Sequence, residues 1–458
     1  MRTPARTGAR IAAVRQTRAA RAAARVVARA LSGEPAPEAL LRRLAARARR
    51  RGLPPPAALI GDWFDGTAVL APSVRIAPVP AAEAFAVPDR QPVLAGPWPD
   101  DATPGAVGGG WVGYLGFGLT DPGAQRRRLP LAAWGWADHV LRRDRDGRWW
   151  FEALVDDDRA ALAVAERLAE ELAVLVGAGD DPPPARWHPA RLHPPSRDQH
   201  EHAVRRCMDA IRAGEVYQAN VCTRYELVLV GDPLEAFAAG VTKHAPARAA
   251  YLAGGWGALA SLSPELFLAR QGRQVSSSPI KGTDPTDPAR LLASAKDRAE
   301  NIMIVDLVRN DLGRVCATGS VTVPELLAVH PAPGVWHLVS TVSGVLRPGV
   351  RDAELLAATF PPGSVTGTPK LRALRLLAEL EPAPREAYCG AVGLVSPVAG
   401  LQLNVAIRTL EVLPSGAGWI GVGGGITIDS DPAAEWAECL HKAAPLLDLL
   451  GGGATAGP

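Results

Sequence analysis

What most limits the folds open to this chain is the spread of short strand-like runs through both halves, with few long helices between them. Such runs fall at residues 67–70, 74–79, 110–115 and 149–154, and again at 219–229, 248–253, 258–263, 335–343, 389–395 and 404–412. Helical spacing of apolar residues marks 36–50, 155–176, 201–213, 287–309 and 432–450. Strict strand–helix alternation is missing, and neither a GxGxxG fingerprint nor a P-loop occurs. No repeat appears at solenoid spacing. The pattern predicts an α+β fold. Asp146-Gly147 is the signal for a hairpin turn.

Composition narrows the class of function. The net charge of +3 over 458 residues gives no footprint for nucleic acid. No uninterrupted apolar run of roughly 18 residues occurs, so no membrane-spanning helix is expected. The five cysteines (Cys207, Cys222, Cys316, Cys389 and Cys439) are scattered and form no CxxC pair. They read as reduced thiols of a cytoplasmic protein, and argue against structural zinc. The chain divides into a basic N-terminal extension over 1–35, a region over 36–176, a Pro/Asp/Gly-rich linker over 177–197, and a region over 198–450.

Several polar groupings could carry chemistry. Asp431 can cap the last helix, with Pro432 in its first turn. On that helix Glu435, Glu438 and Lys442 fall on one side, and paired carboxylates suit a hard cation; an ordinary solvated face is the plainer reading. Glu300 lies in a helix whose apolar residues Ile302, Val305 and Leu312 predict its buried face, with Asp306 and Arg309 as an ion pair. Lys281 sits in Ser276 to Thr283, where a desolvated amine could be a nucleophile or an exposed turn residue. Gly421 to Gly425 is a turn or a carboxylate-binding backbone. Arg408 could fork onto a carboxylate. His337 is a donor, a base or a core histidine, and Glu265 an acid if burial raises its pKa. Ser364, Thr366, Gly367 and Lys370 make one more polar turn.

These segments, in this order, resemble the chorismate-utilising enzymes. The resemblance rests on Ser261 to Glu265, Pro279 to Thr283, Asp297 to Arg314, Gly363 to Lys370 and Asp431 to Lys442. It is strong over residues 201–450 and weaker over 36–176. It implies a large two-lobed fold with two packed antiparallel sheets flanked by helices. It also implies a magnesium (Mg2+) site from Glu300 and Glu438 with Glu435 nearby, holding the ring carboxylate of chorismate. Gly423, Gly424 and Gly425 would give backbone contacts to a carboxylate, and Arg408 would bind the enolpyruvyl carboxylate. Glu265 would help the 4-hydroxyl leave. His337, Lys442, Thr283, Gln218 and Thr366 complete the expected site.

Within the family, Lys281 points to the aminodeoxychorismate synthases, whose lysine is thought to attack ring carbon 2; anthranilate synthases usually carry alanine there. Tyr217 to Asn220 looks like the same branch, and Gln218 stands where isochorismate and salicylate synthases place a base lysine. Asp284 to Asp287 departs from the family's Arg-Pro-Arg, and Thr368 replaces a common alanine. No cysteine sits in a Gly-x-Cys-x-Gly elbow, so ammonia is expected from a separate glutaminase subunit. No lyase domain is expected after the last helix, so release of 4-aminobenzoate is not expected of this chain. Anthranilate synthase component I and an inactive chorismate-binding protein are the competing readings.

Overall fold

The computed structural model describes residues 24–94, 105–120, 127–156, 158–179 and 181–451. Among these, 22 strands form two antiparallel sheets, of 12 and 10 strands. The first sheet runs in the order Ala24–Leu31, Trp149–Asp156, His139–Asp144, Gly66–Ala71, Ala57–Trp63, Arg248–Gly254, Gly257–Ser263, Thr409–Val412, Ala417–Ile426, Gln218–Gly231 and Gly367–Thr368, with Trp187–His193 also pairing Gln218–Gly231. The second holds Leu266–Gln271, Gln274–Ser278, Ile280–Asp284, Val335–Val345, Ala391–Ser396 and Gly400–Val405 beside Gly110–Leu115 and Ala132–Ala137. The expected two-sheet α+β fold is therefore observed.

Three apolar layers hold it. Leu59, Val69, Tyr114, Leu259, Val392 and Trp419 pack between the sheets. Helices Pro37–Arg51, Arg159–Val176, Pro233–His244 and Pro432–Leu449 cover the outer face of the first sheet. Leu40, Leu41 and Leu44 of the first of these helices are all 0% exposed. Each contributes about 1.5–3 kcal/mol of burial. Helices Ala295–Gly313 and Asp352–Thr359 cover the second sheet.

Several expectations change. Residues 1–23 of the predicted extension lie outside the described residues, but Ala24–Leu31 is a strand, paired over its whole length with Trp149–Asp156. Its two arginines, Arg25 and Arg29, stand among Val and Ala, and pairing overrides the helical propensity of that segment. The linker over 177–197 contains the strand Trp187–His193, and both sheets draw strands from either side of it. The helix read over 287–309 is two, Pro288–Ala293 and Ala295–Gly313. Between them Ser294 is extended, and its hydroxyl caps Asp297 N. In the second of these Ile302 is 45% exposed, while Glu300, Asn301 and Asp311 are buried. The polar groups turn inward because partners wait there: Asn301 bonds Leu338 O and Ser340, and Asp311 bonds Lys370.

The run 404–412 is not one strand. Gly400–Val405 belongs to the second sheet and Thr409–Val412 to the first, and the chain crosses between them with Arg408 at φ +49°. The opposite crossing is Ser263-Pro264-Glu265, between Gly257–Ser263 and Leu266–Gln271. The two crossings are bonded to each other, Val405 N to Glu265 O at 3.0 Å and Leu262 N to Arg408 O at 2.9 Å. The fold thereby sets a carboxyl and a guanidinium side by side.

Candidate active site

Glycines 423–425 lie inside the strand Ala417–Ile426, not in a turn. Gly423, Gly424 and Gly425 pair with Cys222, Val221 and Asn220. On the strand's other edge, Thr409–Val412 reaches only as far as Ile420. The missing side chains make room for carboxylates. A Cβ at 425 would overlap Glu300 Oε1 and Gln218 Nε2, and one at 424 would stand 3.1 Å from Glu435 Oε2 and 3.9 Å from Glu438 Oε1. Glu300 from one helix and Glu435 and Glu438 from another thus border the same glycine strand.

Each of these carboxylates faces a lysine. Lys281 Nζ donates to Glu300 Oε1 at 2.5 Å, beside Gln218 Nε2 at 2.6 Å. Lys296 Nζ donates to Glu435 Oε1 at 2.8 Å, and Lys442 Nζ lies 2.7 Å from Glu438 Oε1 and 3.0 Å from Gly423 O. Burial alone would raise the Glu438 pKa, but Lys442, then Lys296 and Lys281, bring it below the ordinary value. Burial would lower Lys442 and Lys296, and their glutamates outweigh it, so both are raised.

Among the described residues, no three His, Cys, Asp or Glu side chains gather as a ready-made metal cluster. One carboxylate oxygen among these groups nevertheless lacks a partner. Ser430 and Lys296 both bond Glu435 Oε1, leaving Oε2 buried without a partner. A bare buried carboxylate oxygen is costly unless something positive meets it. Glu300, Glu435 and Glu438 carry hard oxygen donors, the ligand type that a divalent ion such as magnesium takes.

Across the site the groups are neutralised rather than paired. Glu265 is 4% exposed and accepts from Ser364 Oγ at 2.5 Å. Burial drives its pKa up to about 7, against the pull of Ser364 and Lys281. His337 is 5% exposed, and burial, then Arg408, lowers its pKa to about 4. Its Nδ1 lies 3.0 Å from Thr283 Oγ1, and its Nε2 is buried without a partner. Among the described residues no carboxylate forms an ion pair with Arg408, whose pKa burial lowers although Glu265 pulls it up.

Most of the expected residues thus converge. Thr366 differs: its hydroxyl is directed to Pro362 O and Gly363 O, both at 3.1 Å, because that loop turns back on itself. The hydroxyl facing Glu265 is that of Ser364 instead. Gly282 (φ +92°) relieves contact with Asp297 and Leu291 of the packed helices. Lys296 and Ser430 were not anticipated. Ser430 lies five residues before Glu435 in a capping segment, and Lys296 is one of few lysines, so both signals were present.

Three lysines, an arginine without a carboxylate partner among the described residues and a bare carboxylate oxygen thus gather where the chain crosses between two antiparallel sheets. The chain belongs to the chorismate binding enzyme family, whose model matches residues 78–448. Aminodeoxychorismate synthase component 1 of Escherichia coli (strain K12) is 40% identical over 264 residues, 56% of this chain and 58% of that protein. The chain thus spans less than two thirds of that relative. Anthranilate synthase component 1 of Thermus thermophilus is 36% identical over 376 residues, 75% of this chain and 77% of that one. The menaquinone-specific isochorismate synthase of Escherichia coli shares the fold, with TM-score 0.69, 20% identity, and coverage of 97% of this chain and 100% of that one. No described helix is long and apolar enough to cross a membrane.

Proposed function

We propose that this chain converts chorismate and ammonia to 4-amino-4-deoxychorismate, taking ammonia from a separate glutaminase. The observation that carries the reading is the Lys281 amine, held 2.5 Å from Glu300 beside the glycine strand. An amine in that place can attack ring carbon 2. The diene electrons shift, the bond from carbon 4 to oxygen breaks with its pair on oxygen, and the proton of Glu265 completes a water molecule. Ammonia then bonds carbon 4, Lys281 leaves as free amine, and the proton shed by the new ammonium returns to Glu265. Arg408 and the lysines orient the two carboxylates. Glu300, Glu435 and Glu438 would hold magnesium, which when bound supplies positive charge for a substrate carboxylate.

Similarity to the Escherichia coli component 1 supports this reading. The longer match to an anthranilate synthase supports a second, formation of anthranilate at the same site. Product analysis with chorismate, ammonium and magnesium separates them: aminodeoxychorismate is expected, and direct anthranilate overturns the assignment. Starved of ammonia, the enzyme should accumulate an adduct of chorismate minus water on Lys281, detected by intact mass and peptide mapping. Lys281→Ala should form none and lose amination, and so should Lys281→Arg, whose guanidinium stays protonated.

A further inference from the structure

We propose that Ser364 is a positioning residue for the acid: by donating its hydroxyl to Glu265 Oε1, it leaves Oε2 as the oxygen that carries the proton to the departing 4-hydroxyl. The inference rests on the reading of Glu265 as the acid given above.

The observation is a hydroxyl held on a braced loop. Ser364 Oγ lies 2.5 Å from Glu265 Oε1, and the two residues are 6% and 4% exposed. Backbone carbonyls on either side of Ser364 are held from elsewhere. Lys370 Nζ donates to Thr359 O and Pro361 O, both at 2.8 Å, and also pairs with Asp311 at 2.6 Å. The Thr366 hydroxyl takes Pro362 O and Gly363 O, and buried Arg385 takes Val365 O at 2.7 Å. Lys370 and Arg385 therefore brace the loop rather than contact a ligand.

A free carboxyl can turn and offer either oxygen. With Oε1 already accepting a hydrogen bond, protonation falls on Oε2. Once Glu265 has given its proton, the same hydrogen bond stabilises the carboxylate left behind, so it strengthens as the leaving bond breaks. Three cations also face this carboxyl: Lys281 from the strand Ile280–Asp284, Lys442 from the C-terminal helix, and Arg408 from the neighbouring crossing. Each favours the ionised form, as do the Ser364 hydroxyl and the Ile280 backbone N–H; burial opposes them all, and the balance is a pKa of about 7.

The test is the pH profile of kcat with Ser364→Ala, Ser364→Cys and Ser364→Thr, with Glu265→Gln as control. The acid must be protonated, so wild-type kcat should fall as pH rises through about 7. Loss of the donor removes an effect that lowers this pKa. In Ser364→Ala the falling limb should move up by about one pH unit, with kcat down about tenfold and KM within about twofold. Ser364→Cys, a weaker donor, should move the limb the same way by less, and Ser364→Thr should restore the wild-type profile. A limb that stays in place in both Ser364→Ala and Ser364→Cys, with Glu265→Gln inactive, overturns the role of Ser364 alone. Full activity in Glu265→Gln overturns the acid reading, and this inference with it.

Discussion

The two sides of the site handle buried charge in opposite ways. On one side Lys281, Lys296 and Lys442 face Glu300, Glu435 and Glu438, and the lysine charges hold the Glu438 pKa below its ordinary value. On the other, Glu265 and His337 form no ion pair among the described residues; hydroxyls of Ser364 and Thr283 bond them, and burial shifts both toward their neutral forms. The neutral side holds the group that titrates near pH 7, where proton transfer costs least. Under the proposed function the paired side would hold the substrate's charged groups and the neutral side would transfer the proton.

The sharpest way to break this contrast is on the paired side. Glu300→Ala leaves Lys281 without its carboxylate and removes one oxygen donor. Loss of amination by about 10^3-fold or more is expected, the equivalent of several kcal/mol. Magnesium binding measured by calorimetry should weaken strongly, with the fold retained by circular dichroism. Glu438→Ala should behave alike. Undiminished activity at low magnesium in either variant would refute the cation-binding role of this side.

On the neutral side, Arg408 is the charged exception. Arg408→Met should weaken chorismate binding by about 10- to 150-fold, since a charge-assisted bond contributes roughly 1.5–3 kcal/mol. It should also free His337 from one of the two influences that lower its pKa. A histidine depressed on folding lends stability that is present above its unfolded pKa, near 6.5, and is lost as pH falls through about 4. With the depression relieved, the variant's melting temperature should fall less steeply between those limits. A proton NMR titration in which the His337 pKa does not rise would show that Arg408 exerts no influence there.

Residues 201–450 were legible because long motifs kept their order, and the two-sheet architecture followed from them. The crossings were not legible. Asn404 to Val412 reads as a single apolar alternation, and nothing in it marks a change of sheet except Arg408 itself, a non-glycine at positive φ. The inward turn of Glu300 was hidden for a related reason. Periodicity counts apolar residues, whereas this helix buries Glu300, Asn301 and Asp311 and exposes Ile302. Polar partners override the pattern, and those partners come from strands far away in the sequence. Ala24–Leu31 is the same lesson at an edge: its strand is defined by a partner more than a hundred residues later.

The smallest expected effect tests how finely the neutral side is set. Thr283 is exposed, yet its hydroxyl lies 3.0 Å from His337 Nδ1. With His337 neutral at pH 7, one ring nitrogen carries the hydrogen and the other accepts. If the threonine hydroxyl donates to Nδ1, the hydrogen sits on Nε2, the buried atom without a partner. His337 then offers a donor to the ligand, not a base. Thr283→Val removes that bias while keeping the shape. A neutral hydrogen bond contributes about 1 kcal/mol, so kcat/KM should fall about fivefold. Nitrogen-15 shifts of the ring should show the tautomer moving toward Nδ1–H. An unchanged Nε2–H signal in Thr283→Val would mean that the threonine does not set the tautomer, and that the bare Nε2 owes its state to burial alone.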